Sequence, residues 1–578
     1  MEKSVMRNKK IITSLLLVAV VGSTFLSACS QKPKNPDDKY TSSEIDKTKT
    51  QLYIGNYNGG YGDSWLKAAA KRFEEYYAEE SFETDKKGVE IRIDNKKEEF
   101  TSVDTLESSM DKSNNSLYFT EKIDYDTLVS HGYLADISDI VGEKLTKFGE
   151  DKSVLDKYTP QQKGYYTTAD GKCYAVPHYS AYMGIVYDID LFEDYLLYFS
   201  GESENDDGFI LSKTDKKSNG PDGKTGVIDG IDYSLDDGLP ATYEEFYKLC
   251  DRMNDMTLTP FIWSGQHHDG YLRSFLSALA VDYAGYDEAI VNYSFNGKIK
   301  TISGFNGTTP VFGEENITPR NGYKLYSQAG LYYSMKPLEY VVKKGYYHNL
   351  SFNVTHSHLN AQEDYLYSKY EATGAKKPVA MLIDGIYWQA EAAGSFDNVV
   401  EAYGEKASAK NRRFGFMPFP KANVEKVGGG TTLLDELASI AVVNAKATDL
   451  RRSLAKKFLQ FIYTDESLNE FLAVTGTPKA VDFTVDKTVY NNLTAFSQSV
   501  IDLKANSRIV YAYSENSFWR ATHLQLNSAY QSSLNEGNFV DVGKTFKEYS
   551  YNAEQYFSGM LSYWTENRWN TNYSGMFN

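Results

Sequence analysis

Cysteine is almost missing from this chain: three in 578 residues. That excludes a disulfide-built scaffold and any four-cysteine zinc site. Cys173 and Cys250 are read either as two isolated buried thiols or as one pair. Basic residues are in deficit, 61 Lys and Arg against 78 Asp and Glu, for a formal net charge of -17. A nucleic-acid binder needs the opposite balance to displace counterions from phosphate. Histidine is also scarce. Its clusters are His267-His268 and His356-x-His358. Adjacent histidines do not naturally face one ion, and no H-E-x-x-H or C-x-x-C is present, so zinc is not expected. P-loop, G-x-S-x-G and dinucleotide fingerprints are absent from any strand–turn–helix context. A glycosidase needs only two carboxylates across a cleft, and the many acids leave that reading open.

What is present is length, apolar content and tyrosine. A chain of 578 residues exceeds one ordinary domain, and 41% hydrophobic residues can bury large cores. Tyr occurs 47 times, each offering a flat apolar face and a hydroxyl together.

Long apolar runs are confined to the N-terminus. Lys3, Arg7, Lys9 and Lys10 precede the run from Ile11 to Val21, which leads to Leu26-Ser27-Ala28-Cys29. Basic, apolar and small-residue regions in that order predict a secretory signal over 1–28. Leu-Ser-Ala-Cys resembles the bacterial lipobox. The resemblance implies a diacylated Cys29 and a body held at the outer face of the cell membrane by lipid alone. Residues 29–50 are polar, carry Pro33 and Pro36, and read as a tether. As a coil they reach roughly 25 Å.

The body alternates strand and helix patterns. Gln51 to Tyr57 is strand-like, and Asn58 to Ser64 breaks it. Trp65, Leu66, Ala69, Phe73 and Tyr76 then fall on one helical face, with Asp63 or Ser64 as cap. Strands are expected at Val89–Ile93, Ser116–Phe119, Val379–Ile383 and Ala438–Val443, and a helix at Asp449–Tyr463. The alternation predicts an α/β body with parallel pairing. Ligands then gather beyond the carboxyl ends of strands. The Gly/Asp-rich stretch 201–238 reads as a surface insertion. Its Asn219 to Gly223, Asp229 and Asp236 to Gly238 are oxygen donors for Ca2+, or a bare acidic loop. No organic cofactor is expected.

Several motifs recur in one order behind the lipobox. They include Tyr125 to Leu128 with Gly132 to Ile137, Tyr174 to Pro177 with Gly184 to Tyr187, and Leu239 to Phe246. Val379 to Met381 with Asp384-Gly385 and Trp388, Phe416 to Pro420, and Thr475 to Pro478 follow. The set resembles the carbohydrate-binding solute-binding proteins of ABC importers, the maltose-binding-protein type, over nearly the whole chain. The chain is longer than that family's pattern near 201–238 and 285–330. The resemblance implies a two-lobed α/β fold with a hinge and central cleft. Lobe 1 would hold 50–178 and 430–505, and lobe 2 180–428 and 508–578. It implies a monomeric, non-enzymatic receptor that captures an oligosaccharide and delivers it to permease subunits with an ATPase. The alternatives are a surface-anchored glycoside hydrolase and a binder of a non-sugar polar solute.

A sugar site needs aromatic platforms for C–H faces and polar side chains for hydroxyls. The candidates are Asn58, Tyr61 and Asp63 in the first loop, Glu121, and Tyr179 and Tyr182 by the expected hinge. Trp263, His267 and Tyr271, Asp384 and Trp388, Asp435 and Trp519 complete the set. Trp388 and Trp519 are expected to stack on ligand. Lys and Arg are few in these segments, which argues against an anionic ligand. Arg520, beside Trp519, is the basic residue that would favour a uronate.

Overall fold

The computed structural model describes residues 39–577 apart from 43, 203–206, 229–230, 373–375, 437–438, 532, 536–537 and 540. The expected signal, Cys29, most of the tether and Asp229 lie outside the described residues. No helix among the described residues is long and apolar enough to cross a membrane.

Two sheets organise the chain. The first runs, edge to edge, Val89–Lys96, Thr50–Tyr57, Leu117–Thr120, Ile440–Val443 and Ala175–Pro177. Thr50–Tyr57 is parallel to both neighbours, with Leu52 opposite Ile91 and Ile54 opposite Leu117. Helices Ser64–Tyr76 and Val103–Lys112 make the crossovers that parallel pairing requires. Ile440–Val443 is antiparallel to both of its neighbours, a departure from the expected all-parallel pairing. Among the described residues no helix separates it from the preceding strand, Thr431–Asp435, which pairs outside both sheets.

The first layer packs as the helical spacing predicts. Trp65, Leu66, Ala69 and Phe73 are buried, whereas Tyr76 is 53% exposed. Helix Asp449–Phe461 presents Leu454, Phe458 and Phe461 to the same core, and the Phe73 and Phe458 rings meet edge to face at 5.1 Å.

The second sheet runs Phe414–Met417, Met183–Asp188, Val379–Gly385 and Thr259–Ile262. Every residue of Val379–Gly385 is buried, consistent with a strand covered on both faces. A buried ion pair between Arg412 and Asp188 ties this lobe together. The 285–330 stretch forms an antiparallel hairpin, Gly297–Asn306 with Thr309–Ile317.

Asp435 and a buried ion pair hold the chain passages between the sheets together. Thr431–Asp435 pairs in parallel with Ser507–Tyr511. The Asp435 carbonyl accepts the Ala512 N–H at 2.9 Å, and its carboxylate accepts the Ala181 N–H at 3.3 Å. A buried pair, Lys421 to Asp282 at 2.8 Å, braces the same strand, because Asp282 also accepts the Thr432 N–H at 3.1 Å.

Cys173 and Cys250 are both free and buried, which overturns the disulfide alternative. Cys173 donates to the Ala175 carbonyl at 3.2 Å instead, and burial pushes its thiol up to about 12. In the acidic insertion, Asp236 accepts the Asp222 N–H at 3.0 Å and Asp222 accepts the Lys224 N–H at 2.7 Å. These carboxylates serve their own loop.

Candidate functional site

A cleft of about 900 Å³ opens between the two sheets. All three parallel strands of the first sheet end at it. Tyr57, Gly60 and Tyr61 follow the first strand, Lys97 the second, and Glu121 and Lys122 the third. This is where the carboxyl ends of an open α/β sheet place ligand loops. The facing wall comes from helix His268–Ala284 (Tyr271, Arg273, Ser274), from His358, and from Tyr387 and Glu391 beyond strand Val379–Gly385. Tyr165, Trp519 and His523 close one end. The walls approach closely at Gly60: a Cβ there would lie 3.5 Å from Glu391 Oε1 and from the Tyr387 side chain.

Six of the residues singled out from sequence line this cleft: Tyr61, Glu121, Tyr179, His267, Tyr271 and Trp519. Tyr61 and Tyr179 meet edge to face, 4.6 Å between centroids, and Tyr61 donates to the Ser180 carbonyl at 3.1 Å. The Tyr179 hydroxyl donates to Glu121. Burial raises the Glu121 carboxyl above its ordinary range, against that hydrogen bond and the Lys122 charge. Behind this wall, His178 Nδ1 lies 2.8 Å from Lys479 Nζ, which sits 4.3 Å over the Phe471 ring. Burial drives both groups toward their neutral forms. Trp519 is held by its indole N–H, which donates to the Leu524 carbonyl at 2.9 Å.

The other seven are placed elsewhere. Asn58 is exposed and its side chain is not part of the lining; its N–H donates to the Lys96 carbonyl at 2.7 Å. Asp63 neither caps its helix nor faces the cleft, because Asn95 at 2.6 Å and Lys67 at 3.0 Å occupy its carboxylate. Tyr182 points away from Ala181 and Met183, which do line the cleft, as strand alternation requires. Trp263 is wholly buried against Tyr347 and Phe352. Trp388 is wholly buried too, among Tyr365, Phe396, Phe414 and Phe496. Neither tryptophan has a ring face to offer, so the stacking expected of Trp388 is corrected to core packing. Asp435 is spent on the backbone of the passages between the sheets.

Asp384 lies one layer behind the cleft. Gln362 Nε2 donates to it at 3.1 Å and to Glu391 at 2.9 Å. Burial, reinforced by the Glu391 charge, pushes the Asp384 carboxyl up to about 8. Asp384 thus buttresses a lining residue without touching the space itself.

Arg520 does not enter the cleft. It is held by Asp126 and donates to the Tyr165 carbonyl at 2.6 Å. Lys97, Lys122 and Arg273 do line it, which corrects the impression that the site lacks basic groups. None of the three lies in a tryptophan-rich segment, so composition does not mark them. Applying the strand-end rule to Val89–Lys96 and Leu117–Thr120 finds Lys97 and Lys122 directly.

Among the described residues, one group brings metal-ligating atoms together: Asp124, Asp126 and His523. Asp126 already carries Arg520, and Asp124 accepts from the Thr127 N–H and hydroxyl at 3.0 and 2.6 Å. Each histidine cluster is split: His268 bonds the Gly265 carbonyl and Asp541, and His356 bonds Asp364, while His267 and His358 line the cleft.

No family model and no curated protein matches the chain. Solved structures do. A cyclic alpha-maltosyl-1,6-maltose binding protein from Arthrobacter globiformis aligns at TM-score 0.51 and 10% identity, covering 91% of this chain and 100% of that one. The apo-form of RafE from Streptococcus pneumoniae aligns at TM-score 0.50 and 12% identity, covering 90% and 98%. A probable secreted solute-binding lipoprotein from Streptomyces coelicolor aligns at 0.50 and 12%, covering 89% and 99%. At these identities the likeness establishes the fold alone: two α/β lobes over nearly the whole chain.

Proposed function

We propose that the protein is the substrate-binding receptor of an ABC importer, takes an oligosaccharide, and is anchored to the outer face of the membrane through Cys29. The carrying observation is the cleft itself. Tyrosines from both walls, with Trp519 at one end, surround a space of about 900 Å³ among hydroxyl-binding side chains. Aromatic faces suit sugar C–H surfaces, and Glu121, Glu391 and the histidines suit hydroxyls. The volume falls in the range of small-ligand sites. The Arthrobacter neighbour, a cyclic alpha-maltosyl-1,6-maltose binding protein, supports the same reading. Function then needs no covalent chemistry. Ligand bound to both walls favours the closed arrangement over the open one by its differential affinity, and the permease reads that shape.

The test is thermal unfolding of the purified protein against a panel of mono- and oligosaccharides, with chromatography of each mixture. A stabilising glycan that is recovered intact supports the receptor. A glycan that is cleaved supports the hydrolase instead.

A further inference from the structure

The cleft distributes its charges unevenly. Three of its four lining carboxylates are drawn into the walls, and the fourth, Asp124, is 34% exposed beside His523. The Glu121 side chain is 12% exposed and accepts from Tyr179. Glu391 is 16% exposed and is held by Gln362 at 2.9 Å. Burial pushes the Glu436 carboxyl up, toward its neutral form. The cations project. Lys122 is 65% exposed and comes no nearer to Glu121 than 4.0 Å. Lys97 is exposed, with no ion-pair partner among the described residues. Both follow carboxyl ends of parallel strands in the same wall. Lys122 is also held at φ 55°, a conformation that a non-glycine residue adopts only at a cost and that concentrates at ligand sites. Across the cleft Arg273 adds a third cation, oriented by Asp269 at 2.8 Å.

In a chain of net charge -17, two lysines projecting from one wall, with Glu121 and Glu391 drawn back around them, form a local anion-attracting site. We propose that the glycan taken by this cleft bears an anionic substituent, recognised by Lys97 and Lys122. The inference rests on the sugar-receptor reading and narrows it. Hydroxyls are met by the withdrawn carboxylates and tyrosines, and the anion by the two projecting ammonium groups.

Binding of carboxylated oligosaccharides (oligogalacturonate and glucuronate-containing oligomers) is measured by calorimetry on the purified protein, alongside sulfated oligosaccharides. Each carboxylated ligand is compared with its carboxyl-reduced, neutral counterpart. The expected result is that an acidic oligomer binds at least about tenfold tighter than its neutral counterpart, with affinity falling as salt rises. Lys97→Gln with Lys122→Gln is expected to weaken that binding about tenfold and to flatten the salt dependence, while the unliganded protein melts at its original temperature. Binding of sulfated but not carboxylated oligomers supports the same site and identifies the anion as sulfate. A neutral glycan that binds as tightly as its acidic partner overturns the inference and leaves the receptor standing. So does acidic binding that ignores the double substitution. If no glycan of either kind binds, the sugar reading itself falls.

Discussion

Removing the ammonium of Lys421 while leaving Asp282 in place tests how the passages between the lobes are held. The two side chains are 4% and 3% exposed and 2.8 Å apart. Lys421 also donates to the Gly430 carbonyl at 3.0 Å, and Asp282 accepts the Thr432 N–H at 3.1 Å. The pair therefore pins helix His268–Ala284 to strand Thr431–Asp435. Stranding one charge of a buried pair costs about 3–5 kcal/mol. Lys421→Met is expected to lose that much. At about 2.1 cal/mol/K per residue over roughly 540 residues, each kcal/mol moves Tm by about 1 °C, so the variant melts about 3–5 °C lower. Lys421→Met with Asp282→Leu removes the stranded charge and leaves one buried backbone donor, the Thr432 N–H, without its partner, at about 1–3 kcal/mol. The double variant should be no less stable than Lys421→Met alone, although two groups have been changed. Calorimetric melts of the wild type, both single variants and the double complete the cycle. A single-variant loss below about 1 kcal/mol, the level of exposed pairs, would refute the claim that this pair is buried and braces the crossing strand.

Other expectations follow from the same geometry. Trp388→Ala should cost about 3–5 kcal/mol as a core cavity, while Trp388→Phe leaves glycan affinity unchanged in calorimetric titration; a large affinity loss would return Trp388 to the cleft. Asp384, with its carboxyl raised to about 8, holds a proton in the folded state that it loses when unfolded above about pH 4. That contribution is complete at low pH and drains away as pH rises through about 8, so Asp384→Asn should flatten the fall in stability between pH 4 and 8 measured by denaturant melts. Cys173 and Cys250 should stay unalkylated by iodoacetamide until the protein unfolds, and a reductant should not shift Tm.

The fold was legible where periodicity and burial agree. Trp65, Leu66, Ala69 and Phe73 announce one helix, and Leu454, Phe458 and Phe461 another, because each buries a single stripe against a sheet. Pairing direction was not legible. Ile440–Val443 has the same apolar run as a parallel strand, yet it pairs antiparallel with both neighbours. At the site, the loop after Tyr57 is legible as a strand end and yields Tyr61, whereas Glu121 is legible only as a carboxylate that could accept a hydroxyl. Tryptophan misled, since a large ring at a strand end serves a core as readily as a ligand. Trp263 and Trp388 went inward, and the smaller Tyr271 and Tyr387 took the walls. Asp63 and Asp435 show the same ambiguity for carboxylates, one taken by a side-chain amide and a lysine, the other by backbone N–H groups.

The central claim is that a glycan is gripped between the two walls. The most direct test compares glycan-induced stabilisation of the wild type with that of Gly60→Trp. Gly60 stands where a Cβ would already touch Tyr387 and Glu391 at 3.5 Å, so an indole there fills the gap between the walls. At 100 times its dissociation constant a ligand adds about 2.7 kcal/mol, a rise of about 2–3 °C for a body of this size. That rise is expected in the wild type and none in Gly60→Trp. An equal rise in both would place the ligand outside the cleft, and the central claim would fail.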